Sequence, residues 1–199
     1  MKPHTISTSL LNQNMQSTKS IILMLGVKNS GKTQFVKSLC GQSYDEVKSL
    51  SWKLLIGCAH QHYFRFLIKD PSGQECWPQW REQNYPSTDS FIFVISLDDF
   101  PDRIDEVRQA LIEALTNTGN KPFMIIMNKR DSSSYSVDAR ENVVLWNVRF
   151  WLNGFTGLMP LQDRRYRIFT CDVKVEGHVQ GCFDEIAKCI WSRILVAGC

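Results

Sequence analysis

Eight consecutive residues, Gly26-Val27-Lys28-Asn29-Ser30-Gly31-Lys32-Thr33, fit the pattern G-x-x-x-x-G-K-[ST], in which each fixed type has a task in holding phosphate. Glycines such as Gly26 and Gly31 let backbone N–H groups, those of Lys28, Asn29 and Ser30 among them, turn inward around phosphate oxygens. A helix that starts here adds positive potential, and Lys32 can reach the β and γ phosphates. The Thr33 hydroxyl suits Mg²⁺. By itself the pattern turns up in about one per cent of random chains of this length, and a glycine turn joining a strand to a helix would read the same way. It needs company.

Asp70-Pro71-Ser72-Gly73-Gln74 supplies some. Asp70 follows an apolar run and so lies at a strand's carboxyl end, where ligands of open α/β sheets gather. Its carboxylate can hold Mg²⁺ through water. Gly73 lets its amide approach a γ-phosphate, a contact made with a triphosphate and lost with a diphosphate. Gln74 can both donate to and accept from an attacking water, which makes it the candidate catalytic residue. Asp-Pro-Ser-Gly is also a good β-turn sequence.

Asn128-Lys129-Arg130-Asp131 completes the set. A carboxylate at Asp131 accepts from both the N1–H and the N2 amine of guanine, whereas adenine offers a lone pair and no amine there. Asn128 can bridge neighbouring loops, and the Lys129 stem can lie along the base plane. A polar loop at a strand end would contain the same residue types. The ordered joint occurrence of all three motifs, on the order of one in a few hundred thousand by average composition, decides for nucleotide binding.

The elements that must carry these residues are legible in the hydrophobic pattern. Ile21 to Leu25 is a continuous apolar run ending at Gly26, as for a strand buried on both faces, and Lys32 to Leu39 reads as a helix. Trp52 to Ala59 and Tyr63 to Lys69 are β-rich and separated by His60-Gln61-His62, a hairpin. Phe91 to Ser96 and Phe123 to Met127 are further buried strands. They flank Asp102 to Leu115, where Ile104, Val107, Leu111, Ala114 and Leu115 share one helical face. Arg167 to Thr170 is a strand, and Phe183, Ile186, Ala187, Ile190, Trp191 and Ile194 mark a closing amphipathic helix. Alternating strands and helices predict an α/β fold with a mixed, mostly parallel sheet covered on both faces.

Composition agrees with one soluble domain. The chain of 199 residues has a net charge of +3 spread without like-charge blocks, which does not suggest a nucleic-acid protein. Seven cysteines, with no C-x-x-C pair, fit a reducing compartment. Residues 1–19 are polar and read as a flexible arm, leaving 20–199 as the domain, and they contain no apolar stretch for a signal peptide or membrane span. A cytoplasmic protein is expected.

From Ile21 to Ile194 the chain resembles a Ras-superfamily small GTPase, through the three motifs in their order. Within that superfamily it is most similar to the Arf and Arf-like branch. Pro78-Gln79-Trp80-Arg81 is similar to that branch's P-x-W-R, and Thr170-Cys171 to its T-C-A guanine loop, which assigns Cys171 and Asp172 to the guanine. The resemblance implies a P-loop G-domain with a six-stranded sheet and five helices, Mg²⁺-dependent binding of GTP and GDP, and two nucleotide-sensitive switch loops. It also implies an exchange factor, a GTPase-activating protein and effectors as partners, and a regulatory role in membrane traffic from the cytoplasm, with peripheral membrane contact. The chain departs from the branch at Ser72 and Asp172, where Gly and Ala are usual, and at Lys69, where Trp precedes the Asp. No threonine stands where switch I supplies a Mg²⁺ ligand; counting back from Asp70, Ser51 is the best substitute and Ser49 the next. Lys2 occupies the position that N-myristoylation requires to be Gly.

Other features carry ordinary readings beside sharper ones. Cys58, His60 and His62 alternate as metal ligands might along one strand, but a hairpin with exposed histidines explains them too. Trp146, Phe150, Trp151 and Phe155 fit a long helix packed on the sheet, or a partner-binding face. Cys199 lacks a C-a-a-X context for lipidation. The expected activity is slow, Mg²⁺-dependent hydrolysis of GTP, in need of an activating partner. The alternative is a module that binds guanine nucleotide without catalysis; a P-loop kinase leaves Asn128 to Asp131 unexplained.

Overall fold

The computed structural model describes residues 19–40, 52–59, 62–69, 83–98, 100–119, 121–129, 137–156, 166–175 and 177–197. In chain order these form β1 (Lys19–Leu25), α1 (Lys32–Cys40), β2 (Trp52–Ala59), β3 (His62–Lys69) and β4 (Ser90–Ser96). A single 3₁₀ turn (Pro101–Arg103) then leads into α2 (Ile104–Thr118), β5 (Phe123–Lys129), α3 (Val137–Thr156), β6 (Tyr166–Asp172) and α4 (His178–Ala197). The six strands make one sheet in the order β2-β3-β1-β4-β5-β6. Only β2 and β3 pair antiparallel; the other neighbours are parallel. The expected α/β class and mixed, mostly parallel sheet are what the chain forms.

The apolar runs in β1, β4 and β5 are continuous because successive side chains point to opposite faces and both faces are covered. Ile22, Met24, Ile92, Val94, Met124 and Ile126 meet Phe35 and Val36 of α1 and Val179, Phe183, Ile186 and Ala187 of α4. Leu23, Leu25, Phe91, Phe93, Ile95, Phe123, Ile125 and Met127 meet Val107, Leu111 and Ala114 of α2 and Val144, Val148 and Leu152 of α3. Truncating any of the fully buried phenylalanines to Ala should cost about 3–5 kcal/mol.

Several boundaries differ from the sequence reading. β5 runs two residues further, through Asn128 and Lys129, which pair with Cys171 and Asp172 of β6. Ladder hydrogen bonds carry a strand into polar sequence that hydropathy reads as loop. The helix read from Asp102 to Leu115 runs instead from Ile104 to Thr118, after a 3₁₀ turn over Pro101–Arg103 that Pro101 opens where its missing N–H costs nothing. In the hairpin, His62 belongs to β3 and pairs with Ala59, while Cys58 pairs with Tyr63. Cys58 and His62 thus lie on two strands, not along one as a metal-ligand reading needs. The aromatic stretch of α3 divides: Trp151 is buried against Phe100, with ring centroids 5.7 Å apart. Trp146 and Phe150 are 65% and 59% exposed and stack on each other 5.4 Å apart.

β1 lies between β3 and β4. From it the chain goes to the β2–β3 hairpin on one side, and β4, β5 and β6 then step outward on the other. That reversal opens a crevice beyond the carboxyl ends of β1 and β4, the place where sheets of this type bind ligands.

Candidate nucleotide site

The Gly26–Thr33 loop leaves β1 at this crevice and feeds directly into α1. Its two glycines are each required by a neighbour. Gly26 has φ 135°, and a Cβ there would overlap the Val94 carbonyl of β4. Gly31 has φ 98°, and a Cβ there would overlap the side-chain nitrogen of Asn128. Asn29, at φ 64°, is the non-glycine residue with positive φ among those described, and the left-handed region accepts asparagine comparatively well. Lys28 and Asn29 are exposed while Ser30 is buried, so the loop turns one edge to solvent and one to the protein.

Among the described residues, Lys32, Asn128 and Arg103 fasten this loop. Lys32 Nζ donates to the Gly26 and Val27 carbonyls at 3.0 and 2.9 Å, so its ammonium lies across the loop it would serve. Asn128 Nδ2, from the end of β5, donates to the Ser30 carbonyl at 3.2 Å. Arg103, just before α2, donates to the Lys28 carbonyl at 2.6 Å. Its guanidinium is held by a fork of two 2.7 Å bonds to Glu106, and that interaction keeps the Glu106 carboxyl below its ordinary pKa. Thr33 is the second residue of α1, in the first turn, where backbone amides point out of the helix.

On the other side of Asn128 the strand ends β5 and β6 run level, Lys129 beside Asp172. Lys129 Nζ makes a 2.7 Å ion pair with Glu141 Oε2 of α3. The other oxygen of that carboxylate accepts from the Thr170 hydroxyl at 2.6 Å. Burial works to raise the Glu141 pKa, but Lys129 and Thr170 outweigh it and hold it below the ordinary value. Cys171 is fully buried in the core between β6 and α4. Its hydrogen bond with Cys182 and its burial both push its pKa up, so it stays a thiol. Asp172 is also buried, and its carboxylate accepts the Lys174 backbone N–H at 2.9 Å, closing a turn. Of these two sequence candidates, the backbone rather than the side chains is left to meet a ligand.

Gly26, Lys28, Asn29, Ser30, Gly31, Lys32, Thr33, Asn128 and Lys129 are therefore gathered at one end of the sheet. Ser51, Asp70, Gly73, Gln74 and Asp131 lie outside the described residues. β2 begins and β3 ends at the paired residues Trp52 and Lys69, so the chain enters and leaves the hairpin on the same side. Asn128 Oδ1 and Ser30 Oγ are buried without hydrogen-bond partners among the described residues, a cost of about 1–3 kcal/mol each and of a kind that functional sites carry. A glycine-bounded loop that opens a helix, with a lysine ammonium across it, is the kind of arrangement that can hold a phosphate, and the Asn128 amide braces it from β5. Arg103 and Glu141 were not visible as site residues in the sequence. Each is one charged side chain on a polar helical face, and only the fold brings it to the site.

The sequence profile of the ADP-ribosylation factor family, Arf, matches residues 6–190, and the chain belongs to that family. It is 31% identical over 129 residues to ADP-ribosylation factor-like protein alp41 of Schizosaccharomyces pombe, covering 63% of this chain and 68% of that protein. Against ADP-ribosylation factor-like protein 2 of Dictyostelium discoideum the identity is 24% over 191 residues, 94% of this chain and 97% of the relative. The small COPII coat GTPase SAR1 of Encephalitozoon cuniculi is 28% identical over 150 residues, 72% of this chain and 63% of its own length. The protein is thus a divergent small GTPase, a GTP-binding regulatory switch that hydrolyses GTP to GDP and phosphate. No helix among the described residues is long and apolar enough to cross a membrane.

Proposed function

We propose that the two ends of the site divide the nucleotide between them, phosphates on the loop after β1 and guanine at the ends of β5 and β6. The observation that carries this reading is Asn128, which ties the Ser30 carbonyl to the β5 end. Lys32 and the amides of Lys28 to Gly31 hold phosphate, with the start of α1 adding its dipole. Thr33, Ser51 and Asp70 form an oxygen donor set of the hard kind that Mg²⁺ prefers, and the ion supplies charge neutralisation at the phosphates. Gly73 senses the γ-phosphate and Gln74 orients the attacking water. Asp131 reads the guanine edge, Lys129 covers the base, and the backbone at Cys171 and Asp172 completes the pocket.

Arg103 is committed to Glu106 and the Lys28 carbonyl, which supports slow intrinsic hydrolysis with the missing charge supplied by an activating partner. One relative is named for the COPII coat; with it as support, the switch is read as acting in membrane traffic, from the cytoplasm and at the membrane periphery. The test is binding of GTP, GDP and ATP to the purified chain with Mg²⁺. Guanine nucleotides should win by about a hundredfold or more, and Asp131→Asn should shift the preference to xanthine nucleotides. Equal affinity for ATP would sink the reading.

A further inference from the structure

Glu141 projects from α3 and engages both strand ends that flank the proposed base site. Its two carboxylate oxygens are divided between partners: Oε2 takes the Lys129 ammonium at 2.7 Å and Oε1 the Thr170 hydroxyl at 2.6 Å. Lys129 and Asp172 are level in the sheet, and Thr170 lies two residues before Asp172, so one side chain spans both strands. The Glu141 and Lys129 side chains are about three-quarters shielded, at 24% and 23% exposure, which separates this pair from ordinary surface ion pairs. Lysine has a flexible stem with several rotamers of similar energy. Only a rotamer that delivers Nζ to Glu141 is compatible with this contact, so the carboxylate chooses the path of the stem.

We propose that Glu141 is a positioning residue of the guanine site, fixing the Lys129 stem and the Thr170–Asp172 strand end as one unit. The inference rests on the guanine reading above. Glu141 acts through Lys129 and Thr170, so α3 becomes part of the base-recognition apparatus although no motif lies on it. The residence time of guanine nucleotide then depends on how α3 is seated.

The measurements are the GDP release rate, and the GDP and ADP affinities, of the full chain with Mg²⁺ and a fluorescent GDP. Glu141→Gln keeps the shape and removes the charge; it should speed GDP release about tenfold, within the range of coupling between directly bonded groups. It should also narrow the discrimination between GDP and ADP, which a general loosening of the fold would not do. Glu141→Asp should recover part of both. Thr170→Val leaves the Lys129 pair in place and should speed release by about threefold, and in combination with Glu141→Gln the two effects should be less than multiplicative. Wild-type release and discrimination in Glu141→Gln would overturn the proposal. Should that variant fail to fold, unchanged release in Thr170→Val would do so. If the wild-type chain itself does not prefer GDP to ADP, the base reading fails first and this inference falls with it.

Discussion

The two ends of the site, the proposed phosphate half and the proposed base half, are built in opposite ways. The first is a single run of eight residues, Gly26 to Thr33, whose shape is set largely by its own glycines and by the strand and helix it joins. The second is assembled from Asn128 and Lys129 on β5, Thr170 to Asp172 on β6 and Glu141 on α3, segments brought together only when the sheet closes. A local device tolerates change elsewhere in the chain but little within itself. An assembled device spreads its tolerance, and its weak points are the contacts that align the pieces.

Substitutions in the loop should therefore be the most severe. Gly31→Ala places a Cβ against the Asn128 amide and at a positive φ, so affinity for both GTP and GDP should fall on the order of a hundredfold, measured by equilibrium titration. A loss no larger than that of a base-half variant would mean that the loop is no less tolerant than the assembled strand ends. Asn128→Ala removes the strut between the halves and should weaken GDP by about tenfold. Arg103→Ala removes the bond to the Lys28 carbonyl together with the Glu106 fork, and a loss of about threefold is expected in the same titration.

The smallest effect is one of pH. The Glu141 carboxyl is lowered in the folded chain, so its stabilising contribution is present above the unfolded-state pKa and is lost as pH falls through the folded value. The gap in thermal midpoint between the wild-type chain and Glu141→Gln should close as pH drops from neutrality into that range. Glu106 is lowered in the same direction by Arg103, but it is more exposed and its gap should be smaller.

The loop of the proposed phosphate half is legible in sequence, as a glycine-bounded turn from strand to helix, because all that shapes it lies within the same eight residues. The buried strands were readable too, since β1, β4 and β5 are apolar on both faces and bounded by polar residues. What escaped reading depends on distance. The end of β5 was hidden because Asn128 and Lys129 look like loop residues until β6 pairs with them. Glu141 looks like any acid near the start of an amphipathic helix. Trp146 and Trp151 look alike as letters, yet one is exposed and the other buried against Phe100, a difference of helical phase that only the seating of α3 decides.

The apposition of Gly31 and Asn128 also bears on which substitutions the site can absorb. These positions stand nearly a hundred residues apart, as the bond from Asn128 to Ser30 spans 98 positions, yet the side chain at one fills the space a side chain at the other would need. A larger residue at 31 evicts the amide, and a bulkier one at 128 closes on the loop. Shortening residue 128 would clear the space without releasing position 31, because a φ of 98° strains any side chain there, so no change at the partner position frees the loop to lose its glycine.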